Sequence, residues 1–176
     1  MLGWVKNMNR RQINNEELTA LFYLIGKGIW HLQNLEDALQ TYITIKVEIK
    51  EVGVMNAEQA EDLLKKHRAN TLGTLLKIAK NNNVFSEESV KRLEVFKEER
   101  DWLVHRSVHQ NGKDLYLNNK RYELMERIER FSEEALALQK AVAQEFEDFS
   151  VSKGVSRKWI HDKAARDLAK LKGAIA

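Results

Sequence analysis

The sequence of 176 residues contains no proline and no cysteine, and it has only eight glycines. Without cysteine the chain can form neither disulfide bonds nor metal sites with thiolate ligands. Without proline, and with few glycines, little in the sequence enforces tight turns, while good helix formers such as Ala, Leu, Glu and Lys dominate. This composition predicts an all-α protein.

Long apolar segments are also missing from the sequence. No run approaches the roughly 18 apolar residues of a transmembrane helix. Residues 1–11 contain basic side chains but no apolar core of the kind found in secretory signals. We therefore expect a cytoplasmic protein without a membrane segment, and its length suits one domain with a substantial core.

Charge is unevenly distributed along the chain, although the net charge is only +3. Residues 153–176 contain seven basic and two acidic side chains, and the first thirteen residues contain Lys6, Arg10 and Arg11 but no acid. Two basic ends on a near-neutral body are suited to holding an RNA backbone. Surface charge that serves only solubility is the alternative interpretation.

Apolar residues at three- and four-residue steps predict an elongated antiparallel bundle of four to six helices. Ser86 and Ser156 are expected to cap two of these helices at their N-termini. We divide the chain into a helical bundle over residues 1–152 and a basic C-terminal helix over 153–176, packed on the same domain. The predicted helices cover residues 16–51, 57–69, 71–80, 87 to between 107 and 109, 120–150 and 157–173. Residues 110–119 are predicted to form a loop or a small turn.

Arg100 occupies a position where an apolar core residue is expected. At about 100° per residue, it points into the middle of the apolar stripe of its predicted helix. Burying an unpaired guanidinium costs several kcal/mol, so such a residue needs a partner, a cleft or an anion. The apolar stripe consists of Val90, Leu93, Phe96, Leu103 and Val104.

The segment around Arg100 resembles the hallmark of the HEPN superfamily of small helical bundles. That hallmark is an Arg, four to six residues and a His, commonly with a polar residue after the Arg, and here these are Arg100, His105 and Asp101. The order of helices over residues 16–150 is also similar, including the short helix that opens with residues 71–76. The resemblance implies a HEPN-like fold.

The resemblance also implies a metal-independent endoribonuclease, often a toxin or an antiviral effector, that acts as a homodimer without a cofactor. In such enzymes the two Arg/His pairs meet across the dimer cleft. An antitoxin partner, such as a protein with the nucleotidyltransferase fold, belongs to the same implication. In the branch of the family paired with that antitoxin, the modified Tyr lies two places after the His. Here Ser107 takes that place, so regulation through tyrosine is not expected.

The residue types of this segment suit RNA cleavage by the 2′-hydroxyl, which yields a 2′,3′-cyclic phosphate and a 5′-hydroxyl. His105 is the candidate general acid or base, because imidazole titrates nearest to neutral pH. Arg100 is the candidate phosphate ligand. Asp101 lies four residues before His105, so in an α-helix it can accept a hydrogen bond from the imidazole and orient it. We therefore take Arg100, Asp101 and His105 as the candidate catalytic residues.

Helical geometry favours a site built from two subunits. Arg100 and His105 lie about 140° apart around an α-helix, so they converge more easily on a substrate in a dimer groove than on each other. Arg106 and His109 are weaker candidates for contacts with the substrate. His105 and His109 also have a spacing found in zinc sites, but no third ligand is nearby, and no metal is predicted.

Two other interpretations of the segment stay open. One is a HEPN-like module without catalysis that binds nucleic acid or protein, and the other is a helical interaction scaffold. In the structural interpretation, Arg100 forms a buried ion pair with Glu98 or with a glutamate of a long helix. Separately, Glu36, Glu48 and Glu51 could add an acid near a site, and nothing in the sequence selects one. The stripe of Phe22, Tyr23, Gly26, Gly28 and Trp30 is interpreted as core or dimer interface.

Overall fold

The computed structural model describes residues 10–49, 51, 53, 55–68 and 70–173, and this part of the chain confirms the all-α fold. Among these residues there is no β-strand, only an isolated antiparallel bridge between Arg10 and Leu117. The α-helices are α1 (Asn15–Thr44), α2 (Ala57–His67), α3 (Leu72–Asn81), α4 (Glu87–Asp101), α5 (Ser107–Asn111), α6 (Asn118–Ser152) and α7 (Arg157–Leu171). Two π-helical turns, Ile45–Ile49 and Trp102–Arg106, follow α1 and α4, and a 3-10 turn covers Asp114–Tyr116.

The helix starts follow local capping rules. Ser86 accepts a hydrogen bond from the backbone N–H of Ser89, and Ser156 accepts one from Trp159, so both predicted N-caps are confirmed. Asn56 caps α2 in a reciprocal arrangement with Gln59. Side-chain oxygens thus satisfy helix N–H groups that have no intrahelical partner.

The chain folds into two compact units. The first contains the described residues up to Glu36 together with Ser86–Leu138, and the second contains those of Asp37–Phe85 and Gln139–Ala176. The predicted boundary at residue 152 stays a prediction. Buried side chains of α1, α4, the π-turn Trp102–Arg106 and α6 form the core of the first unit. They include Leu21, Leu32, Leu35, Leu93, Phe96, Trp102, Leu103, Ile128 and Phe131.

In the second unit, Tyr42 lies at the centre of an aromatic cluster. Its ring contacts the rings of Phe85, Phe146 and Phe149 at centroid distances of 5.4, 5.9 and 6.1 Å. Burial, with Glu145 and Asp148 nearby, raises the pKa of Tyr42 to about 12. This unit also contains the basic helix α7, which confirms the helix predicted after Gly154.

The predicted loop over residues 110–119 is wrong at both of its ends. α5 extends to Asn111, and α6 begins at Asn118. Side-chain hydrogen bonds explain the ordered turn between them. Asn111 accepts from Trp102 Nε1 at 3.1 Å and donates to Asp114 Oδ2 at 2.7 Å.

The first helix ends earlier than predicted, because α1 gives way to a π-turn at Ile45. The predicted break at residues 52–54 lies largely outside the described residues. Within it, Gly53 adopts a φ of 84°, which favours glycine. The end of the predicted helix at residue 69 also lies outside the described residues. No helix in the described ranges is long and apolar enough to cross a membrane.

Candidate functional site

Arg100 lies in the last turn of α4, within the first unit. Its side chain is 23% exposed and is paired with two carboxylates. Nη1 donates a hydrogen bond to Asp101 Oδ1 at 3.0 Å, and Nη2 lies 3.9 Å from Glu36 Oε1 on α1. A partly buried guanidinium on this side of the helix thus has partners, as its position in the sequence requires.

Glu36 is the glutamate of a long helix that meets Arg100. Its Oε1 atom and the Nε atom of Arg100 are both buried, and neither has a hydrogen-bond partner within the described part of the chain. Burial raises the pKa of Glu36, and the positive charge of Arg100 opposes that rise. Glu36 and Arg100 therefore attract each other electrostatically, while one buried polar atom of each side chain has no hydrogen bond.

Asp101 has different partners from the one predicted. Its carboxylate accepts a hydrogen bond from Lys97 Nζ at 2.8 Å and one from Arg100. The hydrogen bond from Lys97, followed by that from Arg100, lowers the pKa of Asp101. Among the described residues Asp101 forms no hydrogen bond with His105. The structure thus places Asp101 as a partner of Arg100 rather than of the imidazole.

His105 lies within the π-turn Trp102–Arg106, which begins two residues after Arg100. The backbone N–H of Ser107 donates to the carbonyl of Trp102, five residues earlier, where an α-helix would use a residue four earlier. The turn contains an extra residue, so the α-helical estimate of about 140° between Arg100 and His105 does not hold. The same change removes the four-residue register on which the predicted contact between Asp101 and His105 depended. Turns of this kind occur frequently at functional sites.

His105 is exposed and makes no hydrogen bond or ion pair with any described residue. His109, on α5, is exposed as well. Arg106 donates to the carbonyl of Glu98 at 3.2 Å and lies 3.7 Å from its carboxylate. The described ranges contain no cluster of three or more His, Asp or Glu side chains that could hold a metal ion.

Trp102, the first residue of the π-turn Trp102–Arg106, contacts α6. The Arg127 guanidinium lies 3.5 Å from the ring centroid of the buried Trp102, a cation–π contact. Arg127 also binds both carboxylate oxygens of Glu99, at 2.9 and 2.8 Å. These contacts fix one end of the π-turn, while His105 at its other end remains accessible.

An open cleft of about 550 Å³ between α4 and α6 includes neither Arg100 nor His105. Its guanidiniums are largely neutralised, because Arg92 binds Glu134 and Arg127 binds Glu99 through paired hydrogen bonds. This cleft offers few unpaired donors for an anion.

The aromatic stripe of α1 divides into two parts. Gly28 is buried, and a side chain there would meet the rings and methyl groups of Phe131 and Leu103. The remaining large side chains, Phe22, Tyr23 and Trp30, are each about two-thirds exposed. Gly26 lies between them, with open space beside it. We call Phe22, Tyr23, Gly26 and Trp30 the aromatic face of α1.

No protein-family model, curated protein or solved structure matches the chain. The resemblance to the HEPN superfamily therefore stays a prediction that rests on Arg100, Asp101, His105 and the order of helices.

The sequence interpretation missed a fully buried arginine in the first unit, which forms an ion pair with a glutamate. The Arg121 side chain is 0% exposed, and its Nη2 lies 3.0 Å from Glu17 Oε1. The signal was present, because Arg121 precedes Leu124 and Ile128 by three and seven residues and thus occupies a core position of α6. The rule that singled out Arg100 also applies to Arg121.

Proposed function

We propose that this chain is a metal-independent endoribonuclease of HEPN type that works as a homodimer, as a toxin or an antiviral effector. One observation carries the proposal. Arg100, held by Glu36 and Asp101, lies in the last turn of α4, and the exposed His105 lies within the π-turn Trp102–Arg106 that follows. A fixed guanidinium and an accessible imidazole are the two groups that this reaction requires.

In the proposed reaction the 2′-hydroxyl of RNA attacks the adjacent phosphorus. The bond from O2′ to phosphorus forms, the bond from phosphorus to O5′ breaks, and the products carry a 2′,3′-cyclic phosphate and a 5′-hydroxyl. A neutral imidazole takes the 2′-hydroxyl proton, and an imidazolium gives a proton to O5′. One His105 cannot do both in the same step, so two copies of the chain supply the two groups.

Arg100 retains donors for a phosphate. A guanidinium has five N–H donors, and a single hydrogen bond to Asp101 is formed here. The distance of 3.9 Å between Nη2 and Glu36 exceeds a hydrogen bond. In this proposal the two carboxylates hold the guanidinium in place, and the phosphate oxygens take the remaining N–H groups of Nη1 and Nη2, because Nε is buried.

The aromatic face of α1 supports self-association. Each aromatic ring buries about 150–250 Å² when covered, so three rings exposed by two-thirds offer about 300–500 Å² per chain. Two such faces approach the roughly 1,000 Å² of a specific interface once their rims are included. A second copy of the chain covers this face in our proposal.

A binding module without catalysis is the second candidate. It is favoured by the pairing of Arg100 with two carboxylates, which neutralise the guanidinium before any phosphate arrives. In that case the aromatic face of α1 receives a partner protein, such as an antitoxin of the nucleotidyltransferase fold. This candidate predicts binding without strand cleavage.

The experiment that tests the proposal is an RNA cleavage assay with excess chelator and identification of the product ends. We expect cleavage that resists the chelator and yields 2′,3′-cyclic phosphate and 5′-hydroxyl ends. Loss of cleavage on chelation contradicts the metal-independent mechanism. Binding of RNA without cleavage supports the second candidate.

A further inference from the structure

The segment before α1 is fixed against the turn before α6. Arg10 forms the isolated bridge with Leu117, and the backbone N–H of Arg11 donates to the carbonyl of Tyr116 at 3.0 Å. Two basic residues that are distant in sequence from residues 113–116 are thus placed beside them. This arrangement extends the basic N-terminal end noted in the sequence.

The buried Arg121 forms hydrogen bonds both to the start of α1 and to the turn before α6. Its Nη1 donates to the carbonyl of Leu115 at 2.6 Å, and its Nη2 donates to Asn118 Oδ1 and Glu17 Oε1. Glu17 in turn binds Arg11, with Nη1 donating to Oε2 at 2.7 Å. The hydrogen bond from Arg11 is the largest contribution that lowers the pKa of Glu17 to about 2. The backbone around the basic residues is therefore held before any ligand binds.

These residues line an open pocket of about 430 Å³. Its walls carry Arg10, Arg11, Lys113 and Tyr116, together with Gln12. Arg10 and Lys113 are exposed, and neither forms an ion pair with a described residue. The ring of Tyr116 is 55% exposed in the same pocket. Unpaired cations beside an accessible aromatic ring form a surface that suits phosphate and base together.

We propose that this pocket, the N-terminal pocket, binds one nucleotide of single-stranded RNA. Arg10 and Lys113 contact the phosphate, and Tyr116 stacks on the base. The inference rests on the proposed function and extends it, because the guanidinium of Arg100 is already shared with two carboxylates and a strand needs further cations. An acidic peptide would satisfy the cations but would leave the ring of Tyr116 unused.

The test uses the full-length His105→Ala variant, which in the proposed function binds RNA without cutting it. Fluorescence anisotropy measures binding of a short labelled oligouridylate at several salt concentrations. Adding Arg10→Gln and Lys113→Gln should weaken binding. The slope of the logarithm of the binding constant against the logarithm of the salt concentration should become shallower by about 0.7 per lost phosphate contact. Adding Tyr116→Ala should weaken binding about tenfold.

The matched control replaces two exposed lysines elsewhere, Lys77→Gln on α3 and Lys91→Gln on α4, and removes the same charge. This control should bind RNA almost as tightly as its parent. Equal losses in the control and in the Arg10/Lys113 variant would overturn the pocket as a site. Unchanged binding with Tyr116→Ala, tight binding of a polyglutamate peptide, or no RNA binding at all would also overturn it.

The same set of proteins separates this inference from the proposed function. With His105 restored, cleavage that proceeds normally without Arg10, Lys113 and Tyr116 contradicts the pocket and leaves the ribonuclease proposal standing. Binding that depends on the pocket in a protein that never cuts RNA supports the pocket and contradicts the ribonuclease proposal.

Discussion

Arg100 on α4 and Glu36 on α1 form a partly buried ion pair in which Nη2 lies 3.9 Å from Oε1. The pair joins two helices of the first unit at the end of α4, directly before the π-turn. Glu36 Oε1 lacks a hydrogen bond in the described part of the chain. The attraction of Arg100 therefore offsets only part of the cost of burying the ionised carboxylate.

The substitution Glu36→Gln tests this pair through the pH dependence of stability. Burial raises the folded-state pKa of Glu36 above its ordinary value of 4.5. The stability from the protonated carboxyl is therefore fully present below about pH 4.5 and is lost as pH rises through the folded-state pKa. We expect the free energy of unfolding of the parent, relative to Glu36→Gln, to fall as the pH rises above about 4.5 and through the raised pKa of Glu36. Urea denaturation measures it, and a difference that does not change with pH would contradict the assignment.

Removing Arg121 should destabilise the first unit strongly. Arg121→Ala leaves Glu17 without one of its two guanidinium partners and leaves the carbonyl of Leu115 without a donor. Leaving a buried acceptor without its donor costs about 1–3 kcal/mol. The control is Arg130→Ala, an exposed residue whose ion pair spans 3.7 Å, and it should cost less than about 1 kcal/mol. Similar losses in both variants would show that Arg121 does not organise the turn before α6.

The two glycines of α1 should respond in opposite ways to alanine. At Gly26 the added methyl group meets no atom of its own chain within 4 Å, so Gly26→Ala should stabilise the helix of the unassociated chain by about 1 kcal/mol. At Gly28 it would lie 3.3 Å from Phe131 Cδ1. Phe131 is buried and stacked on Phe96 at 4.8 Å, so it cannot move aside easily. Thermal unfolding should therefore rank Gly26→Ala above the parent and Gly28→Ala below it. The opposite order would contradict this packing.

Deleting Val104 tests the role of the π-turn. Val104 is 43% exposed. A π-turn contains one residue more than an α-helical turn, so deleting Val104 should convert the π-turn Trp102–Arg106 into an α-helical turn. We expect a folded protein by circular dichroism that no longer cleaves RNA, because His105 moves relative to Arg100. The control Val104→Ala keeps the spacing and should keep cleavage. Full activity of the deletion variant would mean that the spacing between Arg100 and His105 does not matter.

Local rules in the sequence predict much of this fold. Ser86 and Ser156 mark helix starts because a cap depends on residues only three positions away. The break after α3 was marked by three asparagines, and Asn83 there adopts a positive φ of 50°. The apolar stripe around Arg100 indicated that this guanidinium needs a partner, a cleft or an anion, and the structure supplies partners in Asp101 and Glu36.

Features that depend on packing between helices could not be predicted. Glu36, Glu48 and Glu51 were equivalent in sequence, and only the arrangement of α1 against α4 selects Glu36 for Arg100. The π-turn Trp102–Arg106 also has no local signature in the sequence, and its first residue, Trp102, packs against Arg127 of another helix. In that turn Asp101 and His105 no longer have the α-helical spacing that would bring their side chains together, so the expected hydrogen bond does not form.

The central claim is that Arg100 and His105 cut RNA, and single-turnover cleavage by matched histidine variants tests it most directly. His105 and His109 are both exposed, on the π-turn and on α5, so neither substitution should disturb the fold. We predict that His105→Ala and Arg100→Ala lower the cleavage rate by at least about 100-fold, while His109→Ala retains most of it. Cleavage by His105→Ala at the rate of the parent would contradict the account.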